Sequence, residues 1–346
     1  MKRKIIFLLI IAVFLITGCN KRENGLVEKN GGKNDIIQTD DENKEKTNTV
    51  EKNNYVSYNG NLKLDGINLV NQYGEKIQLK GVSSHGLQWF NYLITDENIK
   101  TLKSYGANIF RLAMYTKEGG YVDNSNIYDS LIKDIDLVIS NDMYVIVDWH
   151  ILSDNNPNMY RENAKEFFEK ITSKYKDTPN VIYEICNEPN GSTTWDDVKS
   201  YADYIIPIIR KNSKNSIIIV GTPTWSQDVD KVIGNKVDDS NTMYALHFYA
   251  GTHKEYLREK ALNALNNNVP IFVSEWGVSD ASGNGGVYLS EADIWMEFIN
   301  KYNLSYVNWS LADKSESSAL LLENSKVIEE SRLSESGKYI KKILSN

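Results

Sequence analysis

Cysteine is nearly absent from this 346-residue chain, which has only Cys19 and Cys186. Cys186 lies in an apolar run and reads as a buried thiol, so a disulfide framework is excluded. Clustered positive charge is also missing after the first few residues. With 39 Lys and Arg against 46 Asp and Glu, net charge -7, the chain has no basic stripe to displace counterions, which excludes nucleic acid as a partner. No Gly-rich turn follows the early strand candidates, which argues against a dinucleotide-binding sheet. Four histidines, His85, His150, His247 and His253, show no short chelating spacing, so no metal and no cofactor are expected.

What is present is more telling. A chain 41% hydrophobic and 25% charged has enough material for one large single-core domain. Seven Trp and 21 Tyr are flat amphipathic rings that fill cores, or that stack on sugar faces while their N–H and O–H groups hydrogen-bond.

The front end reads as an address. Lys2, Arg3 and Lys4 precede an apolar run over residues 5–16, the charged and hydrophobic regions of a secretory signal and too short to span a bilayer comfortably. It ends in LITGC, where cleavage before Cys19 would leave that thiol to be lipidated. Residues 1–18 are therefore expected to be a lipoprotein signal peptide, and 19–54, dominated by Lys, Glu, Asp, Asn, Gly and Thr, a disordered tether. A flexible chain of that length spans roughly 30 Å. The protein is expected on the extracellular face of a bacterial membrane, anchored through Cys19, or secreted, and as a monomer.

From residue 55 to 346, apolar runs of strand length alternate with amphipathic helical patterns. Strands are predicted over 77–82, 107–114, 144–150, 181–188, 216–222, 243–249, 270–276 and 305–309, with helices over 96–105, 127–141, 160–175, 195–211 and 291–302. Eight such units match a (β/α)8 TIM barrel, preceded by a small hairpin within 61–81 that covers the barrel floor. Period-two alternation places Ile109, Arg111 and Ala113 on one inward face. It does the same for Tyr144, Ile146, Asp148 and His150, for Ile182, Glu184, Cys186 and Glu188, for Met243, Ala245, His247 and Tyr249, and for Ile271, Val273 and Glu275. Polar residues thus gather at one mouth. Glu188 and Glu275, across a narrow barrel, are the minimum apparatus for breaking a glycosidic bond. We read Glu188 as acid/base and Glu275 as nucleophile, with Arg111 and Tyr249 keeping Glu275 ionised.

The motifs NEP (187–189), HFY (247–249), SEWG (274–277), NWSLADKSESSAL (308–320) and GVSSHGLQWF (81–90) closely resemble those of family 5 glycoside hydrolases, in particular the bacterial endo-β-1,4-glucanase branch. The resemblance runs from about residue 60 to the carboxyl end. It implies the same acid/base and nucleophile, an Asn187 that hydrogen-bonds the 2-hydroxyl of the sugar being cleaved, and an inner shell of His85, His150, His247, Tyr249 and Tyr115. It further implies a sugar platform at Trp309, hydrogen bonds from Lys314 and Glu316 to the next glucose, and additional platforms at Trp89 and Trp225. Ala312 departs from the Cys or Ser expected there. The implied function is a retaining endo-β-1,4-glucanase acting on a glucan. Mannan, xylan, xyloglucan and mixed-linkage glucan are alternative substrates, and a non-catalytic oligosaccharide-binding lipoprotein is the alternative class.

Overall fold

The structure, a computed structural model, describes residues 53–346; the signal segment, Cys19 and nearly all of the tether lie outside the described residues. Two short strands, β1 (Lys63–Asp65) and β2 (Asn68–Val70), form an antiparallel hairpin. Eight parallel strands then close a barrel: β3 (Lys80–Ser84), β4 (Ile109–Tyr115), β5 (Tyr144–His150), β6 (Val181–Glu184), β7 (Ile218–Val220), β8 (Thr242–Tyr249), β9 (Ile271–Gly277) and β10 (Tyr306–Leu311). They pair in chain order, with β10 closing onto β3. This is the (β/α)8 barrel that the alternation of elements predicts.

Each predicted strand is found, 144–150 with the same ends and the others with ends shifted by up to four residues, and helices occupy Asp96–Ser104, Ile127–Ser140, Arg161–Lys174, Trp195–Arg210 and Leu289–Lys301. Local chemistry starts them. Thr194 and Asp197 form a reciprocal capping box before Trp195, and the helix then buries Val198, Tyr201, Ala202, Ile205 and Ile209 on one face. A further helix, Glu335–Leu344, follows the barrel without having been read from the sequence.

Apolar side chains form two layers. Ile109, Tyr144, Ile146, Ile219 and Phe272 fill the lumen, closed from below by Leu62, Leu69 and Ile77 around the hairpin. Val147, Tyr183, Leu246 and Trp276 belong to the layer between barrel and helices. With its lower part packed solid, the lumen leaves its polar residues at the carboxyl ends of the strands, where barrels of this kind place their sites.

Two inward faces differ from strict alternation. The last ladder residue of β6 is Glu184, four short of the predicted end, and Ile185 and Cys186 both pack in the outer layer. Cys186 is therefore not in the lumen. On β9, Ile271 and Val273 also face outward while Phe272 faces in. The cause is a bulge: β8 advances from Ala245 to His247 while β9 advances from Phe272 to Glu275, and β10 advances from Tyr306 to Asn308 against Val273 to Trp276. One extra residue resets the phase, so Ser274 and Glu275 both turn toward the site.

Candidate active site

Arg111, fully buried on β4, organises the mouth. Its Nε donates to Glu184 Oε2 at 2.7 Å, Nη1 to Glu275 Oε2 at 3.0 Å and Ser83 Oγ at 3.4 Å, and Nη2 to Asn187 Oδ1 at 2.6 Å. Nη2 also lies 3.0 Å from Asp148 Oδ2. The guanidinium thus makes four hydrogen bonds and ion pairs with three acidic side chains. Tyr249 donates to the other oxygen of Glu275 at 2.7 Å. Burial alone would raise the Glu275 carboxyl, but the positive charges of His247 and Arg111 outweigh it and hold Glu275 below the ordinary carboxylate range.

Glu188 has the opposite balance. Burial raises its carboxyl above the usual range, and the nearby Glu275 charge adds to this against the pull of its hydrogen bond with His247. The His247 bond belongs to a chain. Ser274 gives its one hydroxyl hydrogen to Glu184 Oε1 at 2.6 Å, so it accepts from His247 Nε2 at 2.9 Å. His247 Nδ1 then shares a proton with Glu188 Oε1 at 2.9 Å. Burial pushes His247 down, but its acidic neighbours win and raise it to about 9. Glu184 itself is held down to about 2, burial being overcome by Arg111 and His247. A carboxylate oxygen of Glu188 and one of Glu275 lie within 4.8 Å of each other. A carboxyl whose hold on its proton is strengthened therefore faces one whose hold is weakened, which is how acids and bases are told apart in such pairs.

The other predicted residues take varied places. His85, Trp89, Tyr115, His150, Trp225, Trp309, Lys314 and Glu316 line a cleft of about 670 Å³ together with Glu188, His247, Tyr249 and Glu275. Size alone does not select this cleft, because a hollow of about 640 Å³ at the floor is lined by Tyr55, Lys80, Tyr105 and Leu344. Its chemistry does. Trp309 stacks on His150 at 5.5 Å, and Tyr115 lies 4.1 Å from the His150 ring. Trp89 and Trp225 are 44% and 45% exposed, so each ring presents apolar surface to the cleft. Lys314 and Glu316 form an ion pair. Burial and the charge of Lys314 lower His85 to about 4.

Asn187 and Arg111 do not line the cleft. Asn187 is buried, with its amide hydrogens directed to His150 Nε2 at 3.2 Å and Ile151 O at 3.1 Å. That fixes the His150 tautomer: Nε2 accepts, so Nδ1–H donates to Asp148 Oδ2 at 2.6 Å. Sequence reading assigned no role to Asp148, Glu184 or Ser274. The signal for the first two was available, since both are charged residues on inward faces.

Among the described residues, Glu188, His247 and Glu275 also form a group of three possible metal ligands. Most of their ligand atoms are already engaged. Both His247 nitrogens and both Glu275 oxygens are hydrogen-bonded, and a protonated imidazole has no lone pair to give a metal.

A parallel barrel whose mouth sets two carboxyls of opposite proton affinity against each other has the layout of glycosidic-bond chemistry. A family profile described as cellulase (glycosyl hydrolase family 5) matches residues 70–315. An endoglucanase of Clostridium saccharobutylicum is 52% identical over 292 residues, 83% of this chain and 65% of the relative. Endoglucanase A of Evansella cellulosilytica is 52% identical over 252 residues, 72% of this chain and 52% of the relative. The chain thus spans between about half and two thirds of the length of these relatives. Among solved structures, the catalytic domain of Thermobifida fusca endoglucanase Cel5A, a variant solved in complex with cellotetraose, superposes with TM-score 0.81 at 34% identity, covering 84% of this chain and 99% of that one. The chain belongs to the cellulase family, glycosyl hydrolase family 5.

Proposed function

We propose that the protein is a retaining endo-β-1,4-glucanase anchored outside the cell. In the first step Glu275 attacks the anomeric carbon, the bond to the leaving oxygen breaks, and that oxygen takes the proton held by Glu188. A glycosyl ester on Glu275 results. In the second step Glu188, now a base, takes a proton from water as the water attacks the same carbon, freeing Glu275 and restoring the acid. The observation that carries this reading is the carboxylate separation: oxygens within 4.8 Å fit direct attack, for which carboxyl groups lie about 5 to 5.5 Å apart, rather than the wider gap that admits a water between. The endoglucanase names of the relatives support glucan as substrate. Exposed Trp89 and Trp225 on the cleft favour a chain of sugars over a single unit.

Glu275→Gln tests the chemistry. Hydrolysis should fall by several orders of magnitude while oligosaccharide binding survives, and the wild type should release product of retained anomeric configuration by proton NMR. Unchanged turnover, or inversion, refutes the assignment. Sugar release from carboxymethylcellulose, lichenan, xylan and mannan decides the polymer. Anchoring through Cys19 rests on the LITGC stretch. Cys19→Ser should move the protein from the membrane fraction to the medium, and an unchanged distribution removes the lipid anchor.

A further inference from the structure

Glu188 lies four residues beyond the last ladder position of β6; the Asn187 N–H still reaches Trp149 O on β5 at 3.2 Å, but the carbonyls that follow find their partners outside the sheet. Three bonds hold the local carbonyls. Glu188 O accepts from Asn190 Nδ2 at 2.9 Å, Asn187 O from Ser226 Oγ at 2.7 Å, and Pro189 O from the Trp225 N–H at 3.0 Å. Two of the three come from one turn, Pro223–Ser226.

That turn is strained. Thr224, Trp225 and Ser226 have φ of 59°, 54° and 55°, a single left-handed turn built from residues with Cβ atoms, each of which disfavours it by about 1–2 kcal/mol. Such a backbone persists only where its surroundings over-determine it. Ser226 supplies that restraint: it is fully buried, its N–H donates to Thr222 O at 3.0 Å, and its Oγ accepts from the Thr222 N–H at 3.2 Å. Thr224 differs, its Oγ1 turning to the exposed side to bond Asp228 at 2.8 Å.

We infer that Ser226 is a positioning residue for Glu188: through Asn187 O it locks the acid/base peptide to the strained turn that presents Trp225. The inference rests on the glucanase reading above. It concerns proton delivery first: the bond from Ser226 is to the Asn187 carbonyl beside Glu188, whereas Arg111 meets Asn187 only through its side-chain oxygen and Glu275 is held by Arg111 and Tyr249 on other strands.

The leaving group separates the two steps. A sugar leaving group needs the Glu188 proton as the C–O bond breaks, whereas 2,4-dinitrophenolate leaves as the anion without it. Ser226→Gly removes the hydroxyl at a φ that glycine adopts freely. For this variant, kcat/KM on cellotetraose should fall about tenfold or more, since misplacement by about an ångström costs up to about a hundredfold. On 2,4-dinitrophenyl β-cellobioside it should stay within about twofold of wild type, which also shows that the protein is folded. Thr224→Gly relieves the same turn without touching Asn187 and should leave both substrates unaffected. If wild type cleaves both substrates and Ser226→Gly lowers both equally or neither, Ser226 does not position the acid. An equal selective loss in Thr224→Gly assigns the effect to turn flexibility and likewise overturns the inference. If wild type cleaves neither, the glucanase reading fails and this one with it.

Discussion

Replacing Arg111 with Met is the most informative perturbation, because one buried cation is shared among Asp148, Glu184 and Glu275. Removing one partner of a buried ion pair leaves an uncompensated charge and costs about 3–5 kcal/mol. In a domain of this size that is a fall in Tm of about 10 °C. The pH dependence should also reverse. In the wild type Glu184 is held down to about 2, below its unfolded value. Its contribution, about 3 kcal/mol from the gap to an ordinary glutamate, is present above about pH 4.5 and is lost as pH falls toward 2. Burial already raises Asp148 well above the usual carboxylate range despite Arg111; without Arg111 burial also dominates at Glu184 and Glu275, these carboxyls rise above their unfolded values, and stability should increase as pH falls from 7 to 5. Thermal melts across that range, alongside turnover on a soluble glucan, test both signs. A variant that loses less than about 1 kcal/mol, or melts independently of pH, would refute the view that Arg111 is the counter-charge for this cluster.

Tyr249→Phe deletes the 2.7 Å bond to Glu275, one of the influences that lower that carboxyl. The acid limb of the kcat/KM profile should move up by about one pH unit, the worth of a hydrogen bond to a charged group. His247, raised to about 9, contributes stability that is fully present below its unfolded value near 6.5 and is lost as pH rises through about 9; melts between pH 6 and 10 should show a decline of about 3 kcal/mol. Trp225→Ala should raise KM for long oligosaccharides by up to about tenfold with little change in Tm, because nearly half of the residue's surface is exposed. In Gly221→Ala the new Cβ would sit 2.2 Å from Cys186 O and 2.9 Å from Asn187 O. Neither backbone oxygen can yield cheaply, so a loss of about 1–3 kcal/mol is expected by thermal unfolding, with reduced activity from the displaced acid/base segment.

Alternation of side chains is a local rule, and it read β4 and β5 correctly: Ile109, Arg111 and Ala113 face in, as do Tyr144, Ile146, Asp148 and His150. It failed on β9, where Glu275 reaches the site only because a bulge adds a residue. A bulge is a mismatch between strands, and no count along one of them can reveal it. It failed again after Glu184, where the chain leaves the ladder and its carbonyls find partners in Ser226, Asn190 and Trp225. Ser274 shows the same limit. Beside Glu275 it reads as a small strand residue, and only the convergence of Glu184 and His247 on its hydroxyl gives it a place in the proton chain.

Periodicity and composition were enough for the eight-stranded barrel, its plugged floor and the carboxylates at its mouth, because those follow from which residues seek water and how often they recur. Spacing between strands far apart in the chain was decided in three dimensions. The closeness of Glu188 and Glu275, the sharing of Arg111 among three carboxylates, and the opposite proton affinities of the two glutamates depend on distance and burial, which no one-dimensional pattern contains.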